Sequence, residues 1–137
     1  MRIAVLCVYA KEKSPALLAL ATQVAEGMRA KGHQVDLLNA KDDVGIRLAG
    51  YEYLAVCAEP LGPFTGKIPG RVATSLAAAS SLVGKRSAAF LRKSGLFSAK
   101  AMGNLMRAME KEGMTVNWTE FLLSADQALA LGKGMEA

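Results

Sequence analysis

The sequence predicts a three-layer α/β domain in which a doubly wound, five-stranded parallel sheet lies between two layers of helices. Three observations lead to this prediction. Apolar, strand-like runs alternate with helical patterns along the chain, no repeat or low-complexity tract interrupts them, and 137 residues fit a single domain, residues 1–137. Parallel strands joined by helical crossovers then form one sheet with helices on both faces.

The first half of the chain predicts three strands and one long helix. Residues 2–9 read RIAVLCVY, a continuous apolar run typical of a strand buried on both faces. Ser14 followed by Pro15 predicts a helix start, because serine caps free N–H groups and proline has none to cap. Gly32 predicts the end of that helix. Two more strands are predicted at residues 34–38 and 51–58, with at most one short helix between them.

A long loop over residues 59–70, rich in proline and glycine, follows the third strand. An Ala-rich helix comes next and is predicted to end at Gly84, with an inner face of Val72, Leu76, Ala79 and Val83. The fourth strand is predicted at residues 85–91.

The last third of the chain predicts two helices around the fifth strand. A loop over residues 92–97 leads to Ser98, which is predicted to cap a helix that ends at Gly113. Its inner face consists of Met102, Leu105, Met106 and Met109, a spacing more typical of core than of a cofactor site. The fifth strand falls within residues 114–122, and Trp118 on it is expected to have a packing role. Ser124 and Gln127 have the spacing of a capping box, which predicts a last helix ending near residue 131.

Composition excludes several classes of protein. Hydrophobic residues make up 52% and charged residues 21%, which excludes a disordered chain. No apolar run reaches the roughly 18 to 20 residues of a membrane span, and residues 1–10 lack a cleavable signal pattern, so a cytoplasmic protein without membrane contact is expected. Cys7 and Cys57 lie in strand-like runs, which predicts buried thiols rather than a zinc site. His33 is the only histidine and lies at the amino end of a strand, so neither a catalytic triad nor a metal site is expected.

Positive charge is concentrated in one part of the chain. The formal net charge is +5, yet no acidic residue occurs between Glu59 and Glu110. That interval carries eight cations and the rest of the chain sums to −3; the cations are Lys67, Arg71, Lys85, Arg86, Arg92, Lys93, Lys100 and Arg107. Nucleic acid is not the expected partner, because the cations lack interleaved aromatic residues.

Three stretches resemble the flavodoxin-like family. They are RIAVLCVYAKEKSPALLALATQVAEGMRAKGHQVDLL, YEYLAVCAEPLGPFTGKIPGRVATSL and GKRSAAFLRKSGLFSAKAMGNLMRAMEKEGMTV, and the closing ALALGKGMEA is similar to the family's last helix. The resemblance implies strand order 2-1-3-4-5, noncovalent FMN and electron transfer. It also implies a ligand at the carboxyl ends of the strands, where the strand order reverses.

The family's phosphate loop reads Ser/Thr-x-Thr-Gly-x-Thr, and this chain departs from it. Alignment on the first helix places Glu12, Ser14, Pro15 and Leu17 at the first, second, glycine and last hydroxyl positions. One hydroxyl of three remains, proline has no N–H to donate, and Glu12 would face a phosphate. Lys11 and Lys13 could neutralise that phosphate.

The resemblance implies a cofactor site on three loops, with no catalytic side chain. The first loop contributes Tyr9, Ala10, Lys11, Lys13 and Ser14; the second contributes Pro60, Leu61, Gly62, Pro63 and Phe64; the third contributes Lys93, Ser94 and Gly95. Phe64, the only aromatic residue of the second loop, would shield the flavin ring or would instead cap the sheet end or a dimer contact, and the sequence favours neither alternative.

Two functions remain open from the sequence. The first is noncovalent FMN binding with electron transfer or flavin-dependent reduction, by a monomer or homodimer. The second is a flavin-free binding or interaction module. The cations of the acid-free interval near the expected ligand site point to an anionic partner in either case, namely an acidic redox protein or an anionic small molecule.

Overall fold

A computed structural model describes residues 1–10, 14–40, 45–79 and 82–135. Within these ranges nine strands and helices alternate: β1 (Arg2–Val8), α1 (Pro15–Ala30), β2 (Gln34–Asn39), β3 (Tyr53–Ala58), α2 (Arg71–Ala77), β4 (Arg86–Arg92), α3 (Ser98–Lys111), β5 (Thr115–Leu122) and α4 (Ala125–Lys133). A short 3-10 helix, Gly45–Gly50, lies between β2 and β3. All strands are parallel in the order β2-β1-β3-β4-β5, which confirms the predicted fold class and strand order.

The central strands are covered on both faces, which explains their continuous apolar sequences. Every residue of β3 is buried, as are all residues of β1 except the first. The register pairs Val8 of β1 with Ala58 of β3, and Ala58 with Leu91 of β4. The loops that follow these three strands therefore leave the sheet side by side, at its carboxyl edge.

The helices form the two outer layers. Helix α1 packs with α4 on one face of the sheet, while α2 packs with α3 on the other. The α1–α4 contact is close because Gly27 and Gly132 face each other there: a Cβ on either would meet backbone atoms of the opposite helix. Trp118 of β5 packs edge-on against Phe90, with ring centroids 5.0 Å apart and planes at 86°, which confirms its predicted packing role.

Two predicted helix starts are confirmed by side-chain bonds. Ser14 Oγ accepts a hydrogen bond from the Leu17 N–H at 3.4 Å, and Pro15 is the first helical residue of α1. Ser124 Oγ accepts from the Gln127 N–H at 3.2 Å at the start of α4.

The prediction that α2 extends to Gly84 is wrong. Helix α2 ends at Ala77, and the Val83 side chain is 84% exposed instead of facing the core. The Gly84 N–H donates to the Gly113 carbonyl at 2.7 Å, which ties this segment to the turn after α3 and leaves Val83 in solvent. Alanine buries little apolar area, so a longer Ala-rich helix would gain little burial in exchange for losing the bond from Gly84 to Gly113.

Three boundaries also differ from the prediction. Ser98 is the first residue of α3 instead of its N-cap, because its Oγ donates to the Ser94 carbonyl at 3.1 Å and accepts from the Ser94 N–H at 3.2 Å. Strand β3 begins at Tyr53, since the Tyr51 N–H is used by the Leu48 carbonyl of the 3-10 helix. Strand β4 begins one residue later than predicted, because the Lys85 N–H closes a turn onto the Leu82 carbonyl.

Neither a membrane span nor a metal-binding cluster is present in the described ranges. Their helices are too short and too polar to cross a bilayer. No group of three or more His, Cys, Asp or Glu side chains comes together there in a way that could hold a metal ion. Cys7 and Cys57 are buried free thiols, as predicted.

Candidate functional site at the carboxyl edge

A cavity of about 360 Å³ opens at the carboxyl edge of the sheet, between the loops that follow β1, β3 and β4. This is where the strand order reverses, the usual ligand position in a doubly wound sheet. The volume lies at the lower end of the range for small-molecule sites, about 300 to 1,000 Å³. Its walls are Ala10, Ser14, Pro15, Glu59, Pro60, Leu61, Gly62, Pro63, Arg92 and Ser94.

Glu59 is the polar centre of this cavity. It directly follows β3, is only 2% exposed, and accepts three hydrogen bonds, two from the first loop and one from the end of β4. Its Oε2 accepts from the Ala10 N–H at 2.9 Å; its Oε1 accepts from the Ser14 hydroxyl at 3.1 Å and from the Arg92 Nε–H at 3.0 Å. A carboxylate this buried requires such donors, and a charge-assisted bond to a guanidinium is among the strongest.

Arg92 is the partially accessible cation of the cavity. It is the last residue of β4, and its side chain is 29% exposed while the Glu59 side chain is 3% exposed. A guanidinium carries five N–H donors, and the bond to Glu59 uses the one on Nε. The Arg92 side chain can therefore hold Glu59 and still present positive charge to a ligand in the cavity.

Cys7 and Tyr9 are buried at the carboxyl end of β1, near Glu59, and both are neutral at pH 7. Burial raises the pKa of the Cys7 thiol to about 12, an effect reduced by a hydrogen bond with Tyr9 and increased by the nearby Glu59 carboxylate. Burial also raises the pKa of the Tyr9 hydroxyl, and the neighbouring Cys7 and Glu59 raise it further. Neither group is ionised near neutral pH, so Cys7 is not a thiolate nucleophile.

Buried thiol and phenol groups predict that the protein is less stable at alkaline pH. Burial raises the pKa of Cys7 from 9.0 to about 12 and that of Tyr53 from 10.0 to about 12, so above pH 9 the unfolded chain releases protons that the folded chain retains. The free energy of unfolding should fall by on the order of 3 kcal/mol between about pH 9 and pH 11. Urea denaturation across this range measures it.

The matched variant is Cys7→Ala with Tyr53→Phe, which should make the fall shallower without abolishing it, because burial also raises the pKa values of Tyr9 and Cys57 and both remain. Lys85, whose pKa is lowered by burial, works in the opposite direction and is present in both proteins. An equally steep fall in the variant would show that other groups cause the alkaline instability.

The second and third loops touch each other directly at the outer side of the cavity. The Leu96 N–H donates to the Pro63 carbonyl at 3.0 Å. Gly95 has φ +76, and a Cβ there would collide with the backbone of Pro63. Glycine is thus required at position 95 both by its backbone conformation and by the close approach of the two loops.

Comparison with known proteins identifies the fold. No protein-family model and no curated protein matches the sequence, whereas many solved structures match the coordinates. Oxidised flavodoxin 1 from Bacillus cereus superposes with a TM-score of 0.72 at 16% identity, over 96% of this chain and 95% of that one. Two-electron reduced Megasphaera elsdenii flavodoxin gives 0.71 at 20% identity, over 94% and 96%. This chain has the flavodoxin fold.

A larger protein contains the same fold as one part. The flavodiiron protein from Giardia intestinalis matches with a TM-score of 0.73 at 17% identity, over 97% of this chain but 34% of that one. A shared fold at such identities leaves function to be argued from the site.

Among the described residues, those at the phosphate position do not fit the phosphate of FMN in the way that the resemblance implies. The Ala10 N–H and the Ser14 hydroxyl, which would face a phosphate, both donate to Glu59. Ser14 Oγ is also the N-cap acceptor of α1, and Pro15 at the next position has no N–H to offer. A phosphate dianion placed there would meet the Glu59 carboxylate at close range, where like charges repel strongly.

The ring position is narrowed by a contact between two loops. The resemblance implies a flavin ring between the second and third loops, and these loops are joined by the bond from Leu96 to Pro63 and by the packing of Gly95 against Pro63. The cavity lies beside this contact, with Pro60 to Pro63 and Ser94 in its walls. A flavin ring centred on the contact itself would have to break it.

The predicted site residues divide into those that line the cavity and those that do not. The lining residues are Ala10, Ser14, Pro60, Leu61, Gly62, Pro63 and Ser94. Tyr9 is buried, Phe64 is 77% exposed, Lys93 is exposed, and Gly95 packs on Pro63. Lys11 and Lys13 lie outside the described residues. Whether these residues bind a flavin stays a prediction.

Sequence reasoning did not assign site roles to Glu59 and Arg92. The sequence indicates that Glu59 begins the second loop and that Arg92 begins the third, near the expected ligand site, but it does not indicate the ion pair that joins them at 3.0 Å. The available signal was a lone acid directly after a fully apolar strand. Such a residue is at the carboxyl edge, and burial there requires a partner.

Proposed function

We propose that this flavodoxin-like chain is a flavin-free interaction module that binds an anionic group at its carboxyl edge. The observation that carries the proposal is Glu59, which already accepts the Ala10, Ser14 and Arg92 donors around the cavity. This internal carboxylate takes the place that a cofactor phosphate would need. Arg92, 29% exposed, remains available to an anion that approaches from outside.

A flavin titration tests this proposal. The protein, purified without added flavin, should be colourless. Adding the protein to FMN should leave the flavin fluorescence unchanged. A bacterial flavodoxin is the positive control, and at the same concentrations it should quench that fluorescence fully. Visible absorption of a bound flavin, or saturable quenching, would contradict the proposal.

Noncovalent FMN binding with electron transfer is the second candidate. It is supported by the flavodoxin fold over 96% of the chain and by the cavity at the switch point of the sheet. When bound, FMN would supply the redox chemistry. This candidate requires Glu59 to leave the Ala10 and Ser14 donors and the second and third loops to separate, and saturable quenching in the same titration would establish it.

A further inference from the structure

The second and third loops expose four large apolar side chains around the cavity. Leu61 is 43% exposed, Phe64 77%, Leu96 79% and Phe97 44%. We call these four residues the apolar rim. Large apolar groups that cluster on one exposed surface, rather than being scattered singly, are typical of protein interaction sites. The rim is held together by the hydrogen bond from Leu96 to Pro63, so it is one surface and not two separate loop tips.

Cations lie beside the apolar rim. The Leu61 N–H donates to the Lys67 carbonyl at 3.0 Å, which fixes Lys67 next to the rim. The Lys100 side chain packs over Gly66, and Lys93 is exposed on the third loop. These three lysines and Arg92 lie near the apolar rim. All of them belong to residues 60–109, which contain no acidic residue.

Among the described residues, the acidic ones near this edge do not cancel the positive charge of the rim; Glu12, Asp42 and Asp43 lie outside the described residues. Glu59 is buried and paired with Arg92. Asp126 lies on the first turn of α4, in the opposite helix layer from α3, and Glu120 lies on the edge strand β5. The described part of the rim is therefore apolar and positive.

We propose that the apolar rim and its lysines dock an acidic, amphipathic segment of a partner protein. This proposal rests on the proposed function, which leaves the cavity free of FMN, and it names the class of partner. Charge complementarity selects an acidic segment, and the exposed rim side chains require apolar residues on the same segment. The concave centre of the surface favours a protruding side chain of a protein over the flat face of a bilayer.

Labelled peptides test the docking proposal. The probe is a fluorescent peptide with leucines on one helical face and glutamates on the other; the comparison peptides replace every glutamate by glutamine or every leucine by serine. Fluorescence anisotropy should show that only the first peptide binds, and that its affinity falls by about tenfold or more from low to physiological salt. Amide chemical shifts should change mainly in residues 59–67 and 92–100.

Two pairs of variants locate the surface. Phe64→Ser with Leu96→Ser removes exposed rim side chains, and Val83→Ser removes an equally exposed side chain, 84%, beyond the amino end of β4. Lys93→Glu reverses a rim charge, and Lys31→Glu reverses an exposed charge at the end of α1. Only the rim variants should weaken binding, by about tenfold or more, while thermal unfolding confirms that all four fold.

Three outcomes would overturn the docking proposal. The first is an equal loss of peptide affinity in the rim and control variants, and the second is equal binding of the glutamate and glutamine peptides. The third is rim-dependent binding to phosphatidylserine vesicles without binding to the peptide. The last outcome would assign the surface to a membrane. FMN binding in the flavin titration would instead overturn the proposed function. The peptide experiment does not depend on that titration, so the two failures can be told apart.

Discussion

Replacing Gly132 with alanine is expected to lower the free energy of unfolding by about 2 to 3 kcal/mol. Gly132 lies in α4 where it crosses α1, and a Cβ there would meet the Val24 carbonyl oxygen and lie within 2.9 Å of Gly27 Cα and Met28 N. These are backbone atoms, so they cannot turn aside as the end of a long side chain would, and the helices have to separate. Urea denaturation measures the change.

Gly103→Ala is the matched control, because it is the same substitution in another helix. A Cβ at Gly103 in α3 would meet only the guanidinium of Arg107, at 3.6 Å or more. Alanine has the higher helix propensity, so this variant should be as stable as the original or gain up to about 1 kcal/mol. If Gly132→Ala behaves like Gly103→Ala, the α1–α4 contact is looser than the structure indicates.

The sheet could be predicted from sequence because its signals are local. The run from Arg2 to Val8 is apolar without alternation, which is typical of a buried strand. Ser14 before Pro15 predicts a helix cap, and the structure contains the corresponding hydrogen bond from the Leu17 N–H to Ser14 Oγ. The end of α2 could not be predicted, since it depends on a bond from Gly84 to Gly113, and these residues are far apart in the chain. Locally the run Ala77, Ala78 and Ala79 favours a longer helix, because alanine has the highest helix propensity.

The edge that carries the site could also be predicted, but the chemistry of its centre could not. Topology alone brings the loops after β1, β3 and β4 together, and the cavity lies among them. The role of Glu59 depends on donors at positions 10, 14 and 92, and no spacing rule connects these positions. Direct contact between Pro63 and Leu96 is likewise a tertiary feature, and it narrows the space that the resemblance would give to a flavin ring.

Replacing Glu59 with alanine is expected to convert this site into one that binds inorganic phosphate. Without the carboxylate, the Ala10 N–H, the Ser14 hydroxyl and the Arg92 guanidinium point at a common empty volume. The variant should lose about 2 kcal/mol of stability in phosphate-free buffer, because buried donors lose their acceptor while the partly exposed Arg92 can still be hydrated. Phosphate should restore it, by about 2.7 kcal/mol at a hundred times its Kd.

Thermal unfolding in phosphate, compared with chloride at equal ionic strength, measures this gain. Glu52→Ala is the control, because Glu52 is an exposed carboxylate at the amino edge that accepts from the Arg2 N–H at 3.1 Å. Neither Glu52→Ala nor the unmodified protein should respond to phosphate, and adding Arg92→Leu to Glu59→Ala should abolish the response. Equal stabilisation of the unmodified protein would mean that Glu59 does not block the anion position, and the argument against FMN at that position would then fail.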